Sequence, residues 1–288
     1  MIKNKSFIKK IKKNIFLSVK NALIEDLGKE LDVNSDITSS LLMHNHNTVA
    51  NVFTQDEGVL CGTKWFEEVF QQIEKNIKIH WYVSDGDKIK KNQLICNIHG
   101  PAQTILIGER VALNFLQTLS GVSTKVKSYV KLLEKTNVKL RDTRKTVPGL
   151  RYALKYAVLC GGACNHRMGL FDSILIKDNH IKYSRSIKDL VNTAKLNFPH
   201  LPIEVEVENL EELQEALDAK TDIIMLDNFS YQNIKKAVKI NRNKAILEAS
   251  GNITKQNLVQ IASTGIDYIA VGKLTKNIKS LDFTMHLD

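Results

Sequence analysis

Apolar positions along the chain divide it into an amino-terminal helix, a stretch of short strands, and a longer stretch of alternating strands and helices. Ile8, Ile11, Ile15, Val19 and Leu23 recur at spacings of three and four with lysines between them, which predicts an amphipathic helix. It runs straight into Glu25 and Asp26, unlike an Arg-rich, acid-poor targeting presequence, so it reads as part of the fold. His44 and His46 read as loop residues without chemistry. From about Thr48 to Ile107 the pattern shortens to strand length. Ile77–Val83 alternates and leads into the turn Ser84-Asp85-Gly86-Asp87. Residues 93–98 and 103–107 predict further strands split by Gly100-Pro101, and 65–73 predicts a helix. A long helical region follows from about Gly108 to Lys135, with a break expected at Ser120-Gly121.

Beyond that point β-rich runs alternate with helical runs. The strand candidates are 138–142, 173–177, 203–207, 222–226, 244–249 and 267–272, and helices such as 210–217, 231–240 and 255–262 separate them. Repeated βα units imply a parallel sheet. Six units are fewer than a full eight-stranded barrel needs, so periodicity leaves both an incomplete barrel and an open doubly wound sheet.

Composition narrows the class. A chain of 288 residues, 43% hydrophobic and 25% charged, is long enough for one barrel and a smaller partner domain. No window approaches eighteen uninterrupted apolar residues, which argues against a transmembrane helix. The four cysteines, Cys61, Cys96, Cys160 and Cys164, are too few for a disulfide framework and suggest a reducing compartment. Cys160-x3-Cys164 lacks a second Cys or His pair at metal-ligand spacing, so both read as packing residues. The formal charge of +10 points to nucleic acid, an anionic membrane surface or polyanionic small substrates.

The ends of the strand candidates separate these. The first runs into Arg141-Asp142-Thr143-Arg144-Lys145; the others end at Lys177, Glu206, Asp227, Ser250-Gly251 and Gly272. Active sites of parallel α/β folds gather at the carboxyl ends of strands. The signs also sort. The first two units supply cations, with Asn165-His166-Arg167 between them; the next two supply carboxylates; the last two supply Gly-containing turns that suit a phosphate. Such a pocket asks for a phosphate at one end, hydroxyls or a metal at the carboxylates, and further anionic groups opposite. A phosphorylated sugar pyrophosphate with a carboxylate-bearing acceptor meets all three. Single positions are weaker: Glu204, Glu206 and Glu208 share one face of a strand by alternation, and a lone His166 would more often be structural.

The segment DTRKTVPGL at 142–150 resembles the signature of quinolinate phosphoribosyltransferases, the carboxylating nicotinate-nucleotide pyrophosphorylases. The resemblance continues, in order, through GERVALNFLQTLSGVST, LRYALKYAVLCGGACNHRMGL, ILIKDNHI, IEVEVENLEEL, DIIMLDNF, LEASGNIT and GIDYIAVGKLT. Ala163 stands where a third Gly is expected, and Ser35 where many members have Gly. The resemblance implies an N-terminal α/β open sandwich domain over 1–116 and an incomplete, seven-stranded-type α/β barrel over 117–288. It implies a cytoplasmic homodimer in which Arg110 is lent to the neighbour's site, with Arg144, His166, Arg167 and Lys177 around the quinolinate carboxylates. Lys145, Glu206 and Asp227 are then catalytic and, with Ser250, Gly251 and Gly272, hold phosphoribosyl pyrophosphate; Glu206 and Asp227 hold Mg²⁺. The implied products are nicotinate mononucleotide, CO₂ and pyrophosphate, in de novo NAD biosynthesis. Rival readings are a related transferase taking a single-carboxylate acceptor such as nicotinate, and a basic nucleic-acid-binding protein. The second would spread Arg and aromatic residues along an exposed face, whereas here the arginines with motif support sit at strand ends or in the neighbour-facing segment. The reading is therefore of no nucleic-acid and no membrane partner.

Overall fold

A computed structural model describes residues 5–28, 32, 35–41, 46–184 and 186–288, with side chains at 5–10 and 40 left aside. The expected roles of the Ile8 side chain and of His44 lie outside the described residues. Two compact units form: one from residues up to Lys127, Thr146–Gly162 and Leu274–Asp288, the other from Ser128–Lys145 and Ala163–Lys273. A boundary at 116/117 falls inside an unbroken helix, and neither unit is continuous in sequence.

The first unit holds α1 (Lys5–Leu27), β1 (Asn47–Thr54), β2 (Gly58–Val59), α2 (Thr63–Ile73), β3 (Lys78–Trp81), β4 (Lys88–Ile89), β5 (Leu94–Pro101), most of α3 (Ala102–Leu133), α4 (Arg151–Cys160) and the last strand, β12 (Phe283–Leu287). Its main sheet is antiparallel in the order β12-β1-β5-β3. The apolar stripe of α1 is buried as its spacing predicts, at Ile11, Ile15, Val19 and Leu23. Trp65, Phe66, Val69 and Phe70 of α2 are wholly buried, and the Trp65 indole donates to Ser18 Oγ at 3.1 Å. Each such aromatic side chain contributes on the order of 1.5–3 kcal/mol by leaving water.

Two expectations fail here. Residues 103–107 begin α3 rather than forming a strand. The three apolar residues Ile105-Leu106-Ile107 carry no period of their own, and their continuation through Val111, Phe115, Leu119, Val122 and Val126 makes them part of one buried helical stripe. Nor does α3 break at Ser120-Gly121. A Cβ on Gly121 would lie 2.1 Å from the Lys279 carbonyl oxygen, so the glycine admits a neighbouring backbone. Ser120 Oγ accepts from Cys61 N at 2.9 Å and donates to Cys61 O at 3.1 Å.

The second unit holds β6 (Lys139–Arg141), β7 (Ile174–Ile176), α5 (Asp178–Lys182), α6 (Ile187–Asn197), β8 (Ile203–Val207), α7 (Leu210–Asp218), β9 (Ile223–Asp227), α8 (Tyr231–Asn241), β10 (Ile246–Ser250), α9 (Lys255–Ala262), β11 (Tyr268–Ala270) and the start of α10 (Lys273–Lys276). Its sheet is parallel throughout, in the order β6-β11-β10-β9-β8-β7. A doubly wound sheet keeps its first strand near the middle and winds outward both ways. Here the order steps round in one direction and sets the first strand beside the last, the sequence of a barrel. A parallel bridge from Arg141 to Cys164 adds a seventh strand-like position beside β6, so the described ladder ends at β7 and at Cys164. The helices start on polar caps: Ser186, Asn209 and Ser230 side chains accept from the N–H three residues on. Part of the polarity after these strands is therefore capping.

Candidate functional site

The loop after β6 is built around a buried aspartate. Asp142 accepts from Asn165 Nδ2 at 2.7 Å and from the His166 backbone N–H at 2.8 Å, tying residues 165–167 to the end of β6. Thr143 Oγ1 accepts from Lys145 N at 3.1 Å and turns the chain. The Lys145 side chain then crosses Gly272: a Cβ there would stand 3.1 Å from Lys145 Cδ and 3.4 Å from Thr143 Oγ1. Glycine at 272 thus lets the lysine lie close against the end of β11.

The cations do not disperse. Arg167 is buried, and its pKa is lowered by burial first and by the Arg144 charge second. Its Nη1 donates to Ser173 O at 3.1 Å. The Nε atoms of both Arg144 and Arg167 are buried with no hydrogen-bond acceptor among the described residues. Two neighbouring guanidinium groups with unused donors make a place for an anion.

The carboxylates stand at the next strand ends. Lys177, after β7, meets Glu206 Oε2 of β8 at 2.5 Å. Asp227 closes β9 opposite Ser250 of β10 and accepts from Asn228 Nδ2 at 2.8 Å. Asn228 N donates to Ser250 O at 2.9 Å, and Asn252 Nδ2 donates to Asn228 Oδ1 at 3.1 Å. Gly251 has φ 87°, and a Cβ on it would lie 2.1 Å from Asn228 Oδ1, so only glycine fits that turn.

Deeper in the same unit lies a cluster that the sequence did not single out. Arg141 Nη1 is 2.6 Å from Glu248 Oε2, and its guanidinium lies 4.7 Å above the Tyr268 ring. His166 Nε2 is 3.1 Å from Glu204 Oε2 and 3.6 Å from Glu248 Oε1. Arg167 N donates to His166 Nδ1 at 2.7 Å. Burial, reinforced by the Glu204 charge, pushes the Glu248 carboxyl up to about 7. Glu204 stands two residues before Glu206, and Glu248 two before Ser250, so alternation already placed them on the strand faces of site residues.

The second unit therefore contains Arg144, Lys145, His166, Arg167, Lys177, Glu206, Asp227, Ser250, Gly251 and Gly272. His166 is turned inward, with both ring nitrogens facing protein groups. The alternating glutamates part company: Glu204 is buried against His166, Glu206 meets Lys177, and Glu208 is exposed. Arg110 belongs to the first unit, on α3, with its side chain 63% exposed and 3.6 Å from Glu109. Cys160 groups with Cys61 and Asp85, while Cys164 bridges Arg141 instead.

A parallel α/β unit with paired guanidinium groups, facing carboxylates and a glycine-requiring turn at its strand ends has the site of an enzyme acting on small anionic substrates. Residues 36–120 match the quinolinate phosphoribosyl transferase N-terminal domain and residues 122–286 its C-terminal domain. The chain is 40% identical to a probable carboxylating nicotinate-nucleotide pyrophosphorylase of Bacillus subtilis, over 91% of this chain and 89% of that one. The structure of the nicotinate-nucleotide pyrophosphorylase from Francisella tularensis superposes with a TM-score of 0.91 at 45% identity, covering 96% of each chain. That of the Ehrlichia chaffeensis pyrophosphorylase gives 0.88 at 37% identity, over 94% of this chain and 98% of that one. The chain belongs to the quinolinate phosphoribosyltransferase family.

Proposed function

We infer that this chain transfers the phosphoribosyl group of phosphoribosyl pyrophosphate to quinolinate with decarboxylation, giving nicotinate mononucleotide, CO₂ and pyrophosphate in NAD biosynthesis. The observation that carries this reading is the Arg144–Arg167 pair, whose buried Nε–H groups have no acceptor among the described residues. A dicarboxylate acceptor supplies the missing partners. The pyridine nitrogen attacks the anomeric carbon, and the bond to pyrophosphate breaks with its electron pair on the leaving oxygen. Positive charge builds on the ribose ring, where Glu206 and Asp227 stabilise it. Lys145, lying across Gly272, offsets charge on the pyrophosphate, and the turns at Ser250-Gly251 and Gly272 take the 5′-phosphate. The ring nitrogen is then cationic. The adjacent carboxylate leaves as CO₂, its electron pair stays on the neighbouring carbon, and a proton replaces it. Lys145, which lies across Gly272 at the end of β11, is the proposed proton source in preference to Lys177.

Glu206 and Asp227 present hard carboxylate oxygens at neighbouring strand ends, a donor set that fits Mg²⁺ completed by substrate phosphates and water. The ion would neutralise charge on the leaving pyrophosphate. A homodimer is part of the proposal, with Arg110 completing the partner's site. A cytoplasmic location is supported by four free cysteines. No helix among the described residues is long and apolar enough to cross a membrane.

The test is incubation with quinolinate, phosphoribosyl pyrophosphate and Mg²⁺, with CO₂ and pyrophosphate appearing in equal amounts and a chelator stopping both. Comparable kcat/KM for nicotinate would overturn the assignment, since one carboxylate leaves cations without partners. Sharing of sites is tested by mixing inactive Arg110→Ala and Glu206→Gln chains. Random exchange restores about a quarter of wild-type activity if Arg110 serves the partner, and none if it serves its own chain.

A further inference from the structure

We propose that Glu204 and Glu248 are positioning residues for the acceptor end of this site: they hold His166 as its Nε2–H tautomer, and His166 holds the backbone of Arg167. The proposal rests on the reading of Arg167 as an acceptor-binding residue.

The geometry leaves His166 little choice of proton. Its Nδ1 accepts the Arg167 backbone N–H at 2.7 Å, so Nδ1 carries no hydrogen and the proton of the neutral ring is on Nε2. Nε2 in turn lies 3.1 Å from Glu204 Oε2 and 3.6 Å from Glu248 Oε1, charge contacts out of hydrogen-bond alignment, so what the carboxylates supply is a negative field that favours a proton on Nε2. The opposite tautomer would set an N–H against the Arg167 N–H and a lone pair against two carboxylates. An imidazolium would keep the first of those conflicts. The three potential ligand atoms converge within 4.8 Å, as a metal site would require. With the proton on Nε2 the imidazole has no lone pair to give there, so the cluster holds a proton and not a cation.

Glu248 also pairs with Arg141 at 2.6 Å, but its Oε1 and Glu204 Oε1 have no hydrogen-bond partner among the described residues, and both side chains are at most 3% exposed. Replacing such carboxylates by apolar groups would relieve a desolvation cost, so their presence asks for a reason. Arg141 supplies an anchor on β6 for Glu248. The ring is thus gripped from β8 and β10 on one side, and on the other it accepts the N–H of the residue whose guanidinium awaits an anion. Metal-binding histidines are oriented in the same way by carboxylates behind them. Here the oriented group passes the constraint to a backbone N–H.

The test begins with the resting wild-type protein, without substrates. A long-range ¹H–¹⁵N spectrum of the histidine rings at neutral pH, with His166 assigned by its loss in His166→Asn, is expected to show Nε2 protonated and Nδ1 bare. Glu204→Gln and Glu248→Gln keep the shape and remove the charge. Each is expected to perturb that signal and to raise the KM for quinolinate about tenfold or more, with the KM for phosphoribosyl pyrophosphate changed less than about twofold. A His166 ring protonated on Nδ1 in the wild type overturns the proposal, and so do folded Gln variants with the wild-type quinolinate KM. If the variants do not fold, the wild-type spectrum still decides. Failure of the proposed function shows separately, as no CO₂ from quinolinate with a wild-type protein whose His166 keeps its Nε2 proton.

Discussion

Asp85 in the first unit is a half-buried carboxylate and Glu248 in the second a wholly buried one, and their surroundings differ in kind. Asp85 Oδ1 accepts the backbone N–H groups of Gly62 and Thr63 at 2.9 and 3.1 Å, where α2 begins, and Oδ2 accepts the Tyr156 hydroxyl at 2.7 Å. Burial raises its pKa, but these neutral donors pull the other way. Glu248 faces a second carboxylate, and one of its oxygens has no hydrogen-bond partner. The same contrast runs through the two interiors. The first is packed with Trp65, Phe66 and Phe70, and most of its buried polar groups are hydroxyls such as Thr54, Ser120 and Ser123. The second buries Asp142, His166, Arg167, Glu204 and Glu248. A satisfied carboxylate that starts a helix serves the fold. Charges with unused hydrogen-bonding capacity oppose folding, and their retention on strands and loops that also carry the candidate site residues points to a role beyond the fold.

That contrast can be broken from either side. The largest effect expected is on stability in the first unit. Trp65→Ala removes a wholly buried ring that packs 5.3 Å from Tyr156, and should cost about 3–5 kcal/mol in a denaturant titration. The kcat/KM of molecules still folded should be unchanged; a large loss of specific activity would show that function is not confined as argued.

Arg144→Ala should do the reverse. Quinolinate kcat/KM should fall by about 100-fold or more, while the melting temperature stays level or rises, because a like charge beside Arg167 is removed. Lost stability with normal kinetics would make Arg144 a structural cation.

Gly251→Ala tests the turn between β10 and α9. With φ at 87° and Asn228 Oδ1 2.1 Å from the new Cβ, the strain is on the order of 1–3 kcal/mol. The KM for phosphoribosyl pyrophosphate should rise more than that for quinolinate, and equal rises would detach this turn from the phosphate.

The smallest effect is one of pH. The Glu248 carboxyl titrates near 7 in the folded protein, above its unfolded range, so the native state binds the extra proton between those limits. Its contribution to stability is fully present below the unfolded carboxylate pKa and is lost as pH rises through about 7. Unfolding free energies at pH 5.5 and 8 should therefore differ less in Glu248→Gln than in the wild type. An unchanged difference would mean that Glu248 is not the group responsible.

Much of this was legible in the chain itself. The βα alternation placed six strands to within a few residues, because a strand buried among helices is a short apolar run bounded by turns and caps. The ends of those runs supplied the candidate site residues, since in a parallel sheet every strand points its carboxyl end to the same side. Periodicity could not decide between a barrel and an open sheet; the pairing of β6 with β11 did. It could not read 103–107 as helix, because the short apolar run Ile105-Leu106-Ile107 fits either period until its neighbours are packed. Nor could it rank Glu204, Glu206 and Glu208. Alternation sets which face a side chain takes, and depth along that face is set by the strands and loops that surround it. Only in the folded chain does Glu204 reach His166 while Glu206 reaches Lys177, because those partners come from segments distant in sequence. The spacing along a strand fixed the direction of each carboxylate, and long-range contacts decided which charge it would answer.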